Sequence, residues 1–86
     1  MTVTIPSSVI FKRVGEETVL LDFNRGVYYG LDPVGTRMLE LLASGRSQEA
    51  TIDALMDEYK VDRATLAADL EKLLRELAAH GLVTIA

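Results

Sequence analysis

The stretch Phe23-Asn24-Arg25-Gly26-Val27-Tyr28-Tyr29-Gly30-Leu31-Asp32 divides the chain into two unlike halves. It holds a turn signal, Asn24-Arg25-Gly26, in which Asn and Gly tolerate positive φ. A short β-branched and aromatic run, Val27-Tyr28-Tyr29, follows the turn. Gly30-Leu31-Asp32-Pro33 stops that run. Before this stretch the apolar residues recur every second position. After it they recur every third or fourth. A strand at such a junction belongs at the edge of a sheet, beside the helices.

Three strands are expected. Ser8–Val14 is rich in β-branched residues and is closed by Gly15-Glu16, with Pro6 suited to a strand entrance or an exposed edge. Glu17–Phe23 alternates, with Val19, Leu21 and Phe23 on one face and Thr18, Leu20 and Asp22 on the other, so Asp22 is read as pointing outward. Val27–Leu31 is the third, with Val27, Tyr29 and Leu31 on one face and Tyr28 on the other. The short connections imply an antiparallel meander.

Three helices are expected after it. Asp32 is a good N-cap and Pro33 suits the first helical position. Val34, Met38, Leu41 and Leu42 form one apolar face that ends at Gly45. Ser47 caps a second helix with Ile52, Leu55, Met56 and Tyr59 on its apolar face. Lys60-Val61 make a break, and Asp62 caps the longest helix, Arg63–His80. Gly81 ends it, and Leu82-Val83-Thr84-Ile85 is a terminal strand or an apolar tail covering the core. The fold class is α+β: a winged helix-turn-helix, with a three-stranded antiparallel sheet followed by three helices. Residues 1–86 are read as a single domain.

Composition narrows the function. There is no cysteine and one histidine, which removes thiolate catalysis, Cys-based zinc sites and multi-His metal sites. No metal or cofactor is expected. No apolar run reaches the roughly 18–20 residues that span a bilayer, and no signal peptide pattern is present at the start. A cytoplasmic protein without a membrane partner is therefore expected. The net charge is −4, and the 9 basic residues are scattered. Nucleic-acid binders need clustered positive charge, so no nucleic-acid partner is expected.

The residues offer little to catalysis, and no catalytic residue is assigned. Asp22 is read outward, Asp32 and Asp62 are caps, and Ser8, Ser44 and Ser47 stand in no motif. His80 beside Gly81 is read as a surface residue favoured by the helix dipole. Glu49, Asp53 and Asp57 form an acidic ridge, read as a solvated face.

Two features point to binding instead. On a wheel of about 100° per residue, Leu70, Leu73 and Leu77 fall within about 40° of Leu66 and form a core stripe. Leu74, Ala67 and Ala78 lie about 80–120° round it. That flank, set beside an edge strand, makes a shallow apolar groove, while the opposite flank (Asp69, Glu76) is polar. Val27-Tyr28-Tyr29 carries no interior Lys or Pro, the usual guards of an edge, and tyrosines suit contact surfaces. An ordinary hairpin strand covered by the helices fits the same residues equally well.

Several runs together resemble the PqqD-like family. They are Val19-Leu20-Leu21-Asp22, Gly26-Val27-Tyr28-Tyr29-Gly30-Leu31-Asp32-Pro33-Val34-Gly35 and Leu41-Leu42-Ala43-Ser44-Gly45. Tyr59-Lys60-Val61-Asp62, then Leu66, Asp69 and Leu70, then Leu74-Arg75-Glu76-Leu77 and Gly81-Leu82-Val83 continue the likeness. Asp32 stands where the family usually has Asn, and Met38 near a position often aromatic.

The resemblance implies a recognition element for the precursors of ribosomally made, modified peptides. The leader of such a precursor adds as a strand to the third strand, in the groove against the third helix. The module then presents it to a separate enzyme, a leader peptidase in lasso-peptide pathways. The peptide-binding residues expected are Val27, Tyr28, Tyr29, Gly30, Leu31, Ala67, Leu70, Leu73, Leu74 and Leu77. With no buried charge on offer, the leader's anchors are expected to be apolar or aromatic. The alternatives are a PqqD-type peptide carrier for a radical enzyme in quinone-cofactor biosynthesis and a helix-turn-helix transcriptional regulator. An exposed edge strand also permits dimers by self-pairing.

Overall fold

The computed structural model describes residues 2–86; Met1, the first residue of the expected domain, lies outside the described residues. The elements are β1 (Val3–Thr4), β2 (Val9–Val14), β3 (Glu17–Asp22), β4 (Val27–Leu31), α1 (Pro33–Ala43), α2 (Gln48–Tyr59), α3 (Arg63–Ala79) and β5 (Thr84–Ile85). The expected meander is the sheet β2-β3-β4, antiparallel throughout. Its second turn depends on Gly26 at φ +66°, a left-handed conformation that costs glycine nothing.

Each helix begins where a side-chain oxygen satisfies a free backbone N–H. Asp32 accepts from Gly35, Ser47 from Ala50 and Asp62 from Thr65. Helix α2 ends at Lys60, which holds φ 52° without being glycine. Val61 and Asp62 then turn the chain into α3. The helix α1 packs against β3, β4, α2 and α3, so it sits between the sheet and the other helices.

The alternation of β3 is the reverse of the reading above. Thr18, Leu20 and Asp22 face the helices and are buried, while Val19 is exposed and Leu21 half-exposed. Phe23 lies past the strand and is exposed. The register explains this. Leu20 stands between Phe11 of β2 and Tyr29 of β4, so the three share the helix-facing side. Asp22, only 4% exposed, is therefore an inward residue. Its carboxylate accepts from the Asn24 N–H at 3.0 Å and lies 3.2 Å from the Arg25 guanidinium. It holds the β3–β4 turn from inside, as buried carboxylates must be paired.

The chain after Gly81 is both of the things expected. Leu82 and Val83 are buried, and Thr84–Ile85 pair antiparallel with Val3–Thr4. Thr2 and Ala86 extend that ladder with two backbone hydrogen bonds of 2.8 and 2.9 Å. This second, two-stranded sheet packs through β1 on α1.

Candidate functional site

In the three-stranded sheet, β4 pairs with β3 along one side only, from Thr18 opposite Leu31 to Asp22 opposite Val27. Among the described residues no strand covers its other side. The opposite edge, β2, carries Lys12 and Arg13, and Arg13 is ion-paired to Glu40. Charged residues of that kind discourage stray pairing, whereas β4 (Val-Tyr-Tyr-Gly-Leu) has none. Of its residues, Val27 and Tyr29 are half-buried, Leu31 is buried, Gly30 is exposed and Tyr28 is 74% exposed. The faces of the tyrosine pair are thus assigned: Tyr29 turns to the helices, Tyr28 to the outer surface.

Beside this edge lies a cleft. A recess of about 230 Å³ is lined by Tyr29, Gly30, Leu31, Asp32, Gly35 and Leu73. It shares Asp32, Gly35 and Leu73 with a larger one of about 390 Å³ that reaches Val61, Asp69, Lys72 and Glu76. The floor is α1 and the far wall is α3. Gly35 lets the first turn of α1 close on its cap: a Cβ there would lie 3.2 Å from the Asp32 carboxylate.

One end of the cleft is closed by a polar group. The Tyr29 hydroxyl donates to the Glu76 carboxylate, and its ring lies 5.8 Å from that of His80. The Glu76 carboxylate, first by this hydrogen bond and then through burial and its charge, raises the Tyr29 pKa above the ordinary phenol value. His80 Nδ1 is 2.7 Å from the Glu76 carbonyl oxygen, and the Arg25 guanidinium donates to the His80 carbonyl. Thus His80 is an exposed C-cap that also edges the site.

The wall that α3 presents differs from the expected one. Leu70, Leu74 and Leu77 are buried in the core, and Ala67 is half-buried on the flank about 100° from Leu66. The recesses beside β4 are lined on α3 by Leu73, and not by Ala67, Leu70, Leu74 or Leu77. Helix α3 packs on α2 and α1, and its buried stripe is Leu66, Leu70, Leu74 and Leu77, turned toward Leu74. That rotation lifts Leu73 out to the cleft and brings Asp69, Lys72 and Glu76 beside it. Where no buried charge was expected, the cleft carries one half-buried group, the Glu76 carboxylate; Asp69 and Lys72 are exposed. The signal was present in the spacing: Asp69, Leu73 and Glu76 stand at i, i+4 and i+7, one line along a helix. Asp32, Val34 and Gly35 were legible only as the start of a helix.

The remaining charges leave no basic face. On α3, Arg63 pairs with Asp53 and Arg75 with Glu71, and on α1 Arg37 is held by Glu58 at 2.9 and 3.1 Å. Asp53 of the acidic ridge is thus partly neutralised. No group of His, Cys, Asp and Glu able to hold a metal is found among the described residues, and none of the described helices is long and apolar enough to cross a membrane.

An antiparallel sheet with one unguarded edge, backed by three helices in a winged helix-turn-helix order, defines a small α+β module. The chain belongs to the PqqD family: the family model described as coenzyme PQQ synthesis protein D matches residues 17–83. It is 36% and 38% identical, over 53 residues, to proteins of Rhodopseudomonas palustris strains BisB5 and HaA2 named PqqA binding protein. Those matches take in 62% of this chain and 52% of each relative, so they span about half the length of the curated relatives. Among solved structures, TbiB1 in complex with the TbiA(beta) leader peptide is similar, with a TM-score of 0.87 and 40% identity. It covers 100% of this chain and 98% of that one. A lasso peptide synthetase B1 complexed with its leader peptide has a TM-score of 0.91 at 22% identity, covering 99% and 100% of the two chains. That second likeness shows the fold.

Proposed function

We propose that this protein binds the leader segment of a ribosomally made precursor peptide by strand addition to β4, with leader side chains entering the cleft against α3. It then presents the peptide to a separate leader peptidase of a lasso-type pathway. The observation that carries this reading is the unguarded outer side of β4 beside a cleft. The 40% identity with TbiB1, seen with a leader peptide, supports it.

Backbone pairing alone is not enough. About one net kilocalorie per added hydrogen bond is offset by about 1–2 kcal/mol of backbone ordering per leader residue. The surplus must come from side chains in the cleft, and Leu31, Leu73 and the Tyr29 ring are the apolar surfaces placed to supply it. A second reading, a peptide carrier for a radical enzyme of quinone-cofactor biosynthesis, is favoured by the relatives named PqqA binding protein. Both readings share the edge and the cleft and differ in the enzyme served.

The test is a display selection from a random twelve-residue peptide library, followed by titration of the winners and of the TbiA(beta) leader peptide. Peptides that bind and slow amide exchange along Val27–Leu31 are the expected result. A selection that enriches nothing, or peptides that leave β4 exchange unchanged, contradicts the proposal. Addition of a leader peptidase with and without this protein then reads presentation as a rise in cleavage.

A further inference from the structure

We infer that the peptide taken up beside β4 carries a basic residue, Lys or Arg, two positions from its apolar anchor, and that Asp69 and Glu76 select it. This rests on the strand-addition reading above and specifies the ligand of that site. The cleft is lined by three carboxylates, Asp32, Asp69 and Glu76, against one ammonium, Lys72, a net of −2. Among the described residues none of these four forms an ion pair, whereas five other carboxylates (Glu40, Asp22, Glu58, Asp53 and Glu71) are each paired with an arginine. Asp32 is engaged in capping α1. Asp69 and Glu76 remain, one on either side of Leu73 along α3.

Spacing fixes where the cation belongs. Helical rise places Asp69 about 6 Å before Leu73 and Glu76 about 4.5 Å after it. Residues i and i+2 of an extended strand point the same way about 6.5 Å apart. A leader whose apolar side chain rests on Leu73 therefore brings its neighbour two positions along close to one of the two acids. The Tyr29 hydroxyl holds Glu76 by one carboxylate oxygen, Oε2. Its Oε1 is left to accept from an ammonium or guanidinium. Glu76 is half-buried, which reduces solvent screening of such a pair.

The library selection is run against the wild type and against a Glu76→Gln, Asp69→Asn double variant, with thermal melting to show that the variant is folded. With the wild type, Lys or Arg is enriched two positions from an apolar or aromatic residue. With the variant that enrichment disappears. A wild-type winner binds the variant about three- to tenfold more weakly at low salt, and the gap narrows at 0.5 M salt. If Glu76→Gln does not fold, Asp69→Asn alone, at an exposed position, carries the same comparison at smaller size. Winners without a basic residue at that spacing, or equal affinity for the variant, overturn this inference and leave strand addition standing. No winners at all overturn both.

Discussion

Leu73 and Leu77 lie one turn apart on α3 and do different work. Leu77 is 0% exposed, inside the core, while Leu73 is half-buried and faces the cleft. Replacing Leu77 by Ala removes fully packed carbon and leaves a cavity, a change that costs about 2–5 kcal/mol. A domain of this size has about 4–13 kcal/mol in all. At about 4–8 °C per kcal/mol, the melting temperature falls by at least about 8 °C, or the chain does not fold. Leu73→Ala forfeits only the buried half of a leucine, about 1 kcal/mol, and a few degrees. Its larger effect falls on peptide binding. The exposed half of the side chain is what a bound leader covers, again about 1 kcal/mol, or roughly fivefold in Kd. Calorimetric titration with a selected peptide and differential scanning calorimetry read the two effects separately. Unchanged affinity in a folded Leu73→Ala, or destabilisation equal to that of Leu77→Ala, refutes the division of labour.

Other positions test the fold and its charges. Asp22→Ala removes the acceptor of the Asn24 N–H and one of the two partners of the Arg25 guanidinium and should cost about 0.5–1.5 kcal/mol; an unchanged melting temperature contradicts the inward assignment of β3. Lys60→Gly relieves the left-handed residue at the end of α2 and should stabilise by about 0.5–1 kcal/mol in urea denaturation, whereas a loss shows that the Lys60 side chain contributes more than its backbone costs. Tyr29 has a raised pKa in the folded state. Its contribution is therefore complete below the unfolded phenol value near 10 and is lost as pH rises through the folded one. The stability gap between wild type and Tyr29→Phe should be flat at neutral pH and close under alkaline conditions; a gap that widens there reverses the sign.

Much of the architecture could be read from residue order, and the failures have physical causes. Asn24-Arg25-Gly26 marked the turn, and Asp32, Ser47 and Asp62 marked three helix starts, because caps and positive-φ turns are local chemistry. The sheet face of β3 went the other way because both of its faces carry apolar residues. Only the pairing of Leu20 with Phe11 and Tyr29, a long-range fact, decides between them. The two-residue strands β1 and β5 are too short to show alternation. On α3 the leucine stripe marked the right helix but placed Leu73 in the core and Leu74 on the flank; the buried stripe is turned by about 25° toward Leu74, because burial there depends on how α1 and α2 pack on α3. With that turn, Leu73 lines the cleft together with Asp69 and Glu76. Val27 to Leu31 kept their place at the edge.

Amide hydrogen exchange along the two sheet edges, with and without a selected peptide, tests strand addition most directly. Strand addition slows the outward-facing amides within Val27–Leu31 and leaves β2 (Val9–Val14) unchanged. Slowing confined to β2 or to the helices, with β4 as fast as before, contradicts it.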